Sequence, residues 1–515
     1  MSYLCVLCVL CGELHLCDRE DAAIVTQTVR TRIAPSPTGD PHIGNMYVAL
    51  VNWAFAHQAG GAFLVRIEDT DRTRFVEGAE GMFLESLAWL GLGHDEGPDV
   101  GGPAGPYRQS QRLPLYREHA ARLLASGHAY RCFCTAERLA ELRKAQKGQV
   151  TGYDRRCRAL DAAEAARRAA AGEPHTLRLA VPPEGVTRFT DGLRGAVEIE
   201  NRNVDDQVLI KTDGYPTYHM GVVVDDHLMG VTHVIRAEEW IVSTPKHVLL
   251  YQALGWDLPK FYHLSLIRNP DRSKLSKRKN PTNVVWYRRE GFLPEAVVNY
   301  LGLLGHSMPD QREVFTLQEF RREFSWDRVN TGGPIFDMDK FEWLNGMWIR
   351  RLPAEELAAR LKSEGFVPEG FPEARLPGAV RLMQERLKRL KEFADGAAFF
   401  AARLPYEAAL LVPDKKGKPT RAAAEVREAL ARLRETFFSA PAWQVQPLEA
   451  AGRALADQMQ WKPGDLFTVL RVAITGRRVS TPLFETMEVL GREECLGRMD
   501  EALNKIADCG LRIAD

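Results

Sequence analysis

Hydrophobic positions alternate from Val29 to Ala34 and stop at Pro35-Ser-Pro-Thr-Gly39, which predicts a strand running into a loop. Helical spacing follows over Ile43–His57 and breaks at Gly60-Gly61. Ala62–Glu68 reads as a second strand and Gly78–Leu90 as an amphipathic helix closed by Gly91. Strand, helix, strand, helix is the opening of a parallel α/β sheet. The texture then changes. Leu113–Ser126 and Ala136–Lys147 are spaced as helices, and Ala162–Ala171 reads as a solvated helix. The α/β pattern returns at Val222–Val224, Thr232–Ala237, the helix Thr244–Leu254 and the strand Phe261–Ile267. The sheet domain is therefore expected to be split by an insertion. From about Pro294 the patterns are almost all helical, punctuated by the polar loop Asp414–Pro419.

Composition adds limits. A chain of 515 residues exceeds what one core serves comfortably, and its length suggests roughly three to four domains. With 45% hydrophobic and 26% charged residues it is neither collagen-like nor disordered, and no apolar run is long enough to span a membrane. Lys plus Arg equals Asp plus Glu at 68 each, which leaves nucleic-acid binding open, because a binder needs a basic face and not a basic total. The nine cysteines form no regular disulfide framework. Cys5, Cys8, Cys11 and Cys17 crowd a segment that has neither the basic start nor the cleavage site of a signal peptide. Residues 1–28 are read as a disordered or non-native leader, and the Cys5-x-x-Cys8-x-x-Cys11 spacing as incidental rather than metal-binding.

Two segments carry chemistry. Arg32-Ile-Ala-Pro-Ser-Pro-Thr-Gly-Asp-Pro-His42-Ile-Gly44-Asn joins a strand to a helix, where backbone N–H groups and the positive helix end can face phosphate. Gly44 would let a nucleotide approach the backbone, and His42 would donate to the phosphates. Lys274-Leu-Ser276-Lys277-Arg278 follows the last strand. Its cations and hydroxyl suit a triphosphate that loses pyrophosphate.

Pro41-His-Ile-Gly-Asn45 resembles the "HIGH" signature of class I aminoacyl-tRNA synthetases, with Asn45 in place of the last His, and Lys274–Arg278 resembles their "KMSKS" signature. Arg32–Gly39, Arg66-Ile-Glu-Asp-Thr-Asp-Arg72, Gly214-Tyr-Pro-Thr-Tyr-His219, Arg236-Ala-Glu-Glu-Trp240, Gly332-Gly-Pro-Ile-Phe-Asp337 and Trp343-Leu-Asn-Gly346 narrow the resemblance to bacterial glutamyl-tRNA synthetases, from Val29 to the C-terminus. The resemblance implies an α/β Rossmann-like catalytic domain with an inserted acceptor-binding domain, followed by an all-α stem-contact and anticodon-binding region. Mapped here, the catalytic halves are 29–107 and 221–272 and the insertion is 108–220. The stem-contact region with the KMSKS-like loop is 273–353, and the anticodon-binding domains are 354–398 and 399–515. The implied partners are ATP with Mg²⁺, L-glutamate and tRNA-Glu, for a cytoplasmic monomer without membrane contact.

The implied reaction is a two-step acyl transfer through glutamyl-adenylate, chemistry that needs alignment and charge stabilisation more than a strong base. His42 and Lys277 are the expected transition-state electrostatics. The ATP site takes His42, Gly44, Glu239, Lys274, Ser276, Lys277 and Arg278. The glutamate site takes Arg32, Ala34, Ser36, Glu68, Tyr218 and Arg236, with Glu68 on the substrate ammonium. A guanidinium offers only donors, so a buried arginine separates a carboxylate from the nearly isosteric glutamine amide.

Cys132-x-Cys134 and Cys157 resemble a zinc site of some family members whose second element reads Cys-x-His. Here Ala159 stands where that His would be, so a ligand is missing, and neither zinc nor any other bound metal is expected. In Leu382-Met-Gln-Glu-Arg386-Leu-Lys-Arg-Leu390, Arg386 aligns with an arginine on an anticodon-domain helix of members that reject tRNA-Gln. Three rivals fit less well. A glutaminyl-tRNA synthetase usually carries β-barrel anticodon domains, a tRNA-base-glutamylating relative would lack residues 354–515, and a non-catalytic paralogue need not keep both ATP loops.

Overall fold

A computed structural model of the chain describes residues 28–146, 152–276, 281–415 and 418–510, side chains to residue 507. The leader through Gln27, and Lys277 and Arg278, lie outside the described residues.

Strand β1 (Arg30–Ile33) pairs in parallel with β2 (Ala62–Val65) across helix α1 (Ile43–Gln58), and α2 (Ala79–Trp89) follows. Apolar residues occur on nearly every face of α1, because it packs against the sheet on one side and against the helices Pro294–Gly305 and Leu317–Glu323 on the other. The return to β2 is tight. A Cβ on Gly61 would fall 1.9 Å from the Val29 carbonyl oxygen, so the close approach requires glycine.

Between the catalytic strands come α3 (Leu113–Ala125), β3 (Ala129–Cys132), α4 (Ala136–Ala145), α5 (Ala162–Ala170), β4 (Thr176–Leu179), β5 (Val186–Asp191), β6 (Gly195–Glu200) and β7 (Val208–Ile210). Strands β3, β4 and β7 form an antiparallel sheet of their own. The predicted helices α3, α4 and α5 are present, but the strands went unread.

Helix α6 (Tyr218–Leu228), β8 (His233–Ala237), α7 (Thr244–Leu254) and β9 (Lys260–Leu264) complete the catalytic layer. Strands β8 and β9 are parallel, and Thr232 N–H donates to the Arg30 carbonyl at 3.0 Å, joining β8 to β1. Val222–Val224, where the α/β pattern returns, lies inside α6, which packs against both α3 and α7, so an apolar run is what this helix requires. One expectation needs correction. The hairpin β5–β6 falls within the stretch assigned to the insertion, yet β5 pairs in parallel with β9 at Asp191 and Phe261, extending the catalytic sheet.

Helices dominate after Pro294. Ala423–Phe438, Val445–Gln458, Pro463–Thr475, Leu483–Leu490 and Arg492–Gly510 pack together, and the predicted polar loop is a short antiparallel ribbon, Asp414–Lys415 against Lys418–Pro419. Among the described residues no helix is long and apolar enough to cross a membrane.

Candidate active site

His42 is the N-cap of α1. Its Nδ1 accepts from the Gly44 N–H at 3.0 Å, so a neutral ring carries its proton on Nε2. A Cβ on Gly44 would meet that Nδ1 at 3.0 Å, so Gly44 keeps room for the ring as well as for a ligand. His42 and Asn45 line two adjoining cavities of about 210 Å³ each. One is built by the Pro35–Pro41 loop with Ser36, and the other by Gly44, Tyr47, Glu239, Ser265 and Lys274.

The second cavity gathers His42, Gly44, Glu239 and Lys274 of the expected nucleotide residues. Lys274 Nζ pairs with Glu239 Oε2 at 2.5 Å on the surface, and half-buried Ser276 follows. Leu275 N–H donates to Ile267 O at 3.0 Å, and Ile43 N–H donates to Thr282 O at 2.7 Å. The HIGH-like segment is thus tied to Thr282, which follows the KMSKS-like segment in the chain.

Behind the Pro35–Pro41 loop, β1, β2, α6 and β8 bring buried charges into one cluster. Asp226 binds Arg32 through Nε at 3.0 Å and Nη2 at 3.1 Å, and Arg66 through Nη1 at 2.7 Å. Its neighbour Asp225 takes Arg112 at 2.6 Å, Tyr116 at 2.8 Å and Gln109 at 2.9 Å. Burial works against the Arg32 charge, but Asp226 outweighs it and raises the pKa. Asp225, Asp226, Arg66 and Arg112 had not been singled out. Their signal was two adjacent acids in an apolar helix, a pattern that needs buried partners.

Arg236, on β8, is different. Among the described residues no carboxylate lies within ion-pair distance of it. Its donors reach neutral acceptors: His263 Nε2 at 3.1 Å, Tyr218 Oη at 3.1 Å, His247 Nδ1 at 3.2 Å and Thr244 Oγ1 at 2.8 Å. A guanidinium cannot accept, so His247 must carry its proton on Nε2, from where it donates to His219 Nδ1 at 3.0 Å. Both histidines stay neutral, and burial pulls the His219 pKa down to about 3. Burial also lowers the Arg236 pKa from its ordinary value. The charge is held in place but not neutralised.

Glu68 lies beside this cluster, 3.2 Å from Arg66 Nη2 and 6% exposed. Burial pushes its pKa up to about 7, against the opposing pull of Arg66 and Arg32. The fold favours the neutral carboxyl, so this group stabilises the empty protein at low pH and ceases to as pH rises through about 7. An ammonium ligand selects the opposite form. The KM for an α-amino acid is expected to rise as pH falls below about 7, approaching about tenfold per pH unit. Steady-state assays from pH 5.5 to 8 check this, and a flat profile would remove Glu68 from ammonium binding.

Of the other expected glutamate residues, Ser36 is exposed in the first cavity and Ala34 half-buried at the end of β1. Arg386 is not on a helix. The helix ends at Gln384, and Arg386 sits in the following turn, exposed, with Nη1 donating to Ser480 O at 2.6 Å. Arg471 holds the same loop through Ser480 Oγ and Thr481 O, each at 2.7 Å.

The three thiols converge as their spacing suggested, within 4.8 Å of one another. The missing fourth ligand has a counterpart that the sequence reading passed over. Tyr153 Oη lies 3.3 Å from both Cys132 Sγ and Cys134 Sγ and accepts from the Cys157 N–H at 3.0 Å. It precedes Cys157, whereas the residue sought followed it. Arg138 donates to Cys134 Sγ at 3.3 Å, and the Arg178 guanidinium lies 4.0 Å from the Tyr153 ring centre. Three sulfurs and one oxygen among cations fit a zinc ion in number and charge. Such an ion would brace β3 against the Arg156–Ala159 turn, with no part in the reaction.

The family model for the catalytic domain of class I tRNA synthetases (E and Q) matches residues 28–343, and one for an anticodon binding domain matches residues 354–503. Fold and site together define a class I tRNA synthetase. The chain belongs to the glutamate–tRNA ligase family. It is 52% identical to the glutamate–tRNA ligase of Thermus thermophilus over 483 residues, covering 92% of this chain and 100% of the relative. It is 49% identical to that of Acidothermus cellulolyticus, covering 94% of this chain and 97% of the relative. The crystal structure of a glutamate tRNA ligase from Elizabethkingia meningosepticum in complex with its amino acid superposes with a TM-score of 0.84 at 32% identity, covering 93% of this chain and 100% of that one.

Proposed function

We infer that the chain is a glutamate–tRNA ligase that uses Arg236 to select L-glutamate. The observation that carries this is a buried guanidinium whose partners are all neutral, a site complementary to one carboxylate. Arg32 differs because its charge is already paired with the Asp226 carboxylate. It is assigned to the substrate's charged end together with Glu68, and Tyr218 to the side chain together with Arg236.

In the first step a glutamate α-carboxylate oxygen attacks the α-phosphorus of ATP, the bond to the β-phosphate oxygen breaks, and pyrophosphate leaves. His42 Nε2–H, Lys274 and Lys277, with Arg278 and Ser276, offset the charge that builds on the phosphates. Mg²⁺ arriving with ATP would share that task. In the second step the 2′-hydroxyl of the terminal adenosine attacks the acyl carbon, AMP leaves, and the hydroxyl proton passes to the phosphate or solvent.

The enzyme, working as a monomer in the cytoplasm, is further assigned a preference for tRNA-Glu over tRNA-Gln, resting on Arg386. Its neighbours Lys388 and Arg389 are engaged by Glu342 and Glu290, whereas among the described residues Arg386 contacts a carbonyl and no carboxylate. Its remaining donors suit the O2 and N3 acceptors of an unpaired cytosine, while the matching edge of guanine presents donors. A wrong base costs about 1–3 kcal/mol in nucleic-acid recognition, so wild type should favour tRNA-Glu by roughly tenfold to a hundredfold. Charging of tRNA-Glu and tRNA-Gln transcripts with labelled glutamate tests both assignments. Arg386→Gln should narrow the preference. Equal charging by wild type, or equal loss on both transcripts in the mutant, would remove Arg386 from discrimination.

A further inference from the structure

The neutrality of the groups around Arg236 has a source. Asp191, at the end of β5, is 1% exposed and has both carboxylate oxygens committed. Oδ1 accepts from the Leu193 and Arg194 N–H groups, each at 2.9 Å. Oδ2 faces His263 Nδ1 at 2.5 Å. The turn leaves little room to readjust, because a Cβ on Gly192 would fall 2.1 Å from the Tyr262 ring. His263 on β9 is fully buried, and its Nε2 accepts from Arg236 Nε–H at 3.1 Å. His263 Nε2 has two partners, Arg236 Nε–H at 3.1 Å and Thr244 Oγ1 at 3.3 Å. Arg236 can only donate, so Nε2 is bare. The ring proton is then on Nδ1, and that is where a carboxylate can take it.

We propose that Asp191 is a positioning residue for amino-acid selection, fixing through His263 the tautomer that aims Arg236 at the substrate carboxylate. This rests on the reading of Arg236 given above. The parallel pairing of β5 with β9 at Asp191 and Phe261 sets the reach, two residues from His263.

The decisive variant is Asp191→Asn, which removes the charge and keeps the shape. Two backbone donors already claim one oxygen, so the asparagine must keep its carbonyl there. Its NH₂ then faces His263 Nδ1. That nitrogen has to accept, the ring proton moves to Nε2, and two donors confront each other at Arg236 Nε. The KM for glutamate in tRNA charging should rise about 10- to 100-fold, the scale on which orienting groups act, and the preference for glutamate over glutamine should shrink. The KM for ATP should stay within about twofold. His263→Phe should give a similar loss, and the double variant no more than either alone, because both act on one chain of contacts.

A wild-type glutamate KM in folded Asp191→Asn overturns the proposal. So does additive loss in the double variant, or a loss that falls equally on the glutamate and ATP KM values. Should Asp191→Asn not fold, nitrogen-15 NMR of histidine-labelled wild type decides. A proton on Nδ1 and a bare Nε2 at His263 are expected, and the other tautomer or an imidazolium overturns the idea. Arg236→Ala separates the two levels. If that variant keeps its preference, the Arg236 reading fails. If it loses the preference while Asp191→Asn does not, only the Asp191 proposal fails.

Discussion

Arg236→Ala is expected to lose about 3–5 kcal/mol of glutamate activation, roughly 150- to 5,000-fold in kcat/KM, the cost of leaving one member of a buried charge pair alone. On the proposed reading that member is the ligand carboxylate, left among Tyr218, Thr244, His247 and His263. The empty protein should behave oppositely. It holds a desolvated guanidinium that no carboxylate pairs with among the described residues, and burial lowers that group's pKa. Arg236→Met, which keeps much of the volume and removes the charge, should melt no lower than wild type while activating glutamate as poorly as the alanine variant. Thermal melts without substrate and single-turnover charging with it measure the two halves. Wild-type preference for glutamate over glutamine in either variant would end the assignment. A large fall in Tm with normal activity would make Arg236 a structural residue.

The same site marks where the sequence was readable. Arg32, Glu68, Tyr218 and Arg236 lie in four separate segments, yet each sits in a motif, and the fold gathers all four around one cluster. Helices with a full apolar period were read closely: Thr244–Leu254 agrees to the residue and Ile43–His57 within one. The failures have a common physical origin. In β5 the inward positions are Thr187, Phe189 and Asp191, and an exposed Val186 points outward. Two of the three buried residues are polar, so the alternation that marks a strand was inverted. They are polar because one binds Asn201 and another binds His263. The Val222–Val224 run shows the converse, since its element type was not legible. A helix covered on several sides is apolar enough to imitate a buried strand, and only Asp225 and Asp226 beside it signal a packed ionic centre. Spacing can announce that a charge is present. It cannot report whether the partner is a carboxylate, as for Arg32, or a set of neutral acceptors, as for Arg236.

His42→Ala is expected to slow adenylate formation by about 10²-fold or more, the scale for losing one preorganised donor, with little change in the KM for glutamate. The side chain has two separable roles. Nδ1 caps α1 by accepting from Gly44 N–H, which places the proton of the neutral ring on Nε2, and the residue lines both cavities. Losing a cap costs about 1 kcal/mol of stability, so a slower rate in the alanine variant alone would be ambiguous. His42→Asn resolves it. Asparagine is a strong N-cap and should recover the melting temperature, but its shorter amide cannot reach where the imidazole Nε2 did, so the rate should stay low. Pre-steady-state pyrophosphate release, measured beside thermal melts for both variants, separates the two effects. If the rate returns together with Tm in His42→Asn, the histidine serves the helix and not the phosphates. If neither variant slows release, charge stabilisation falls to Lys274 and the cations that follow it.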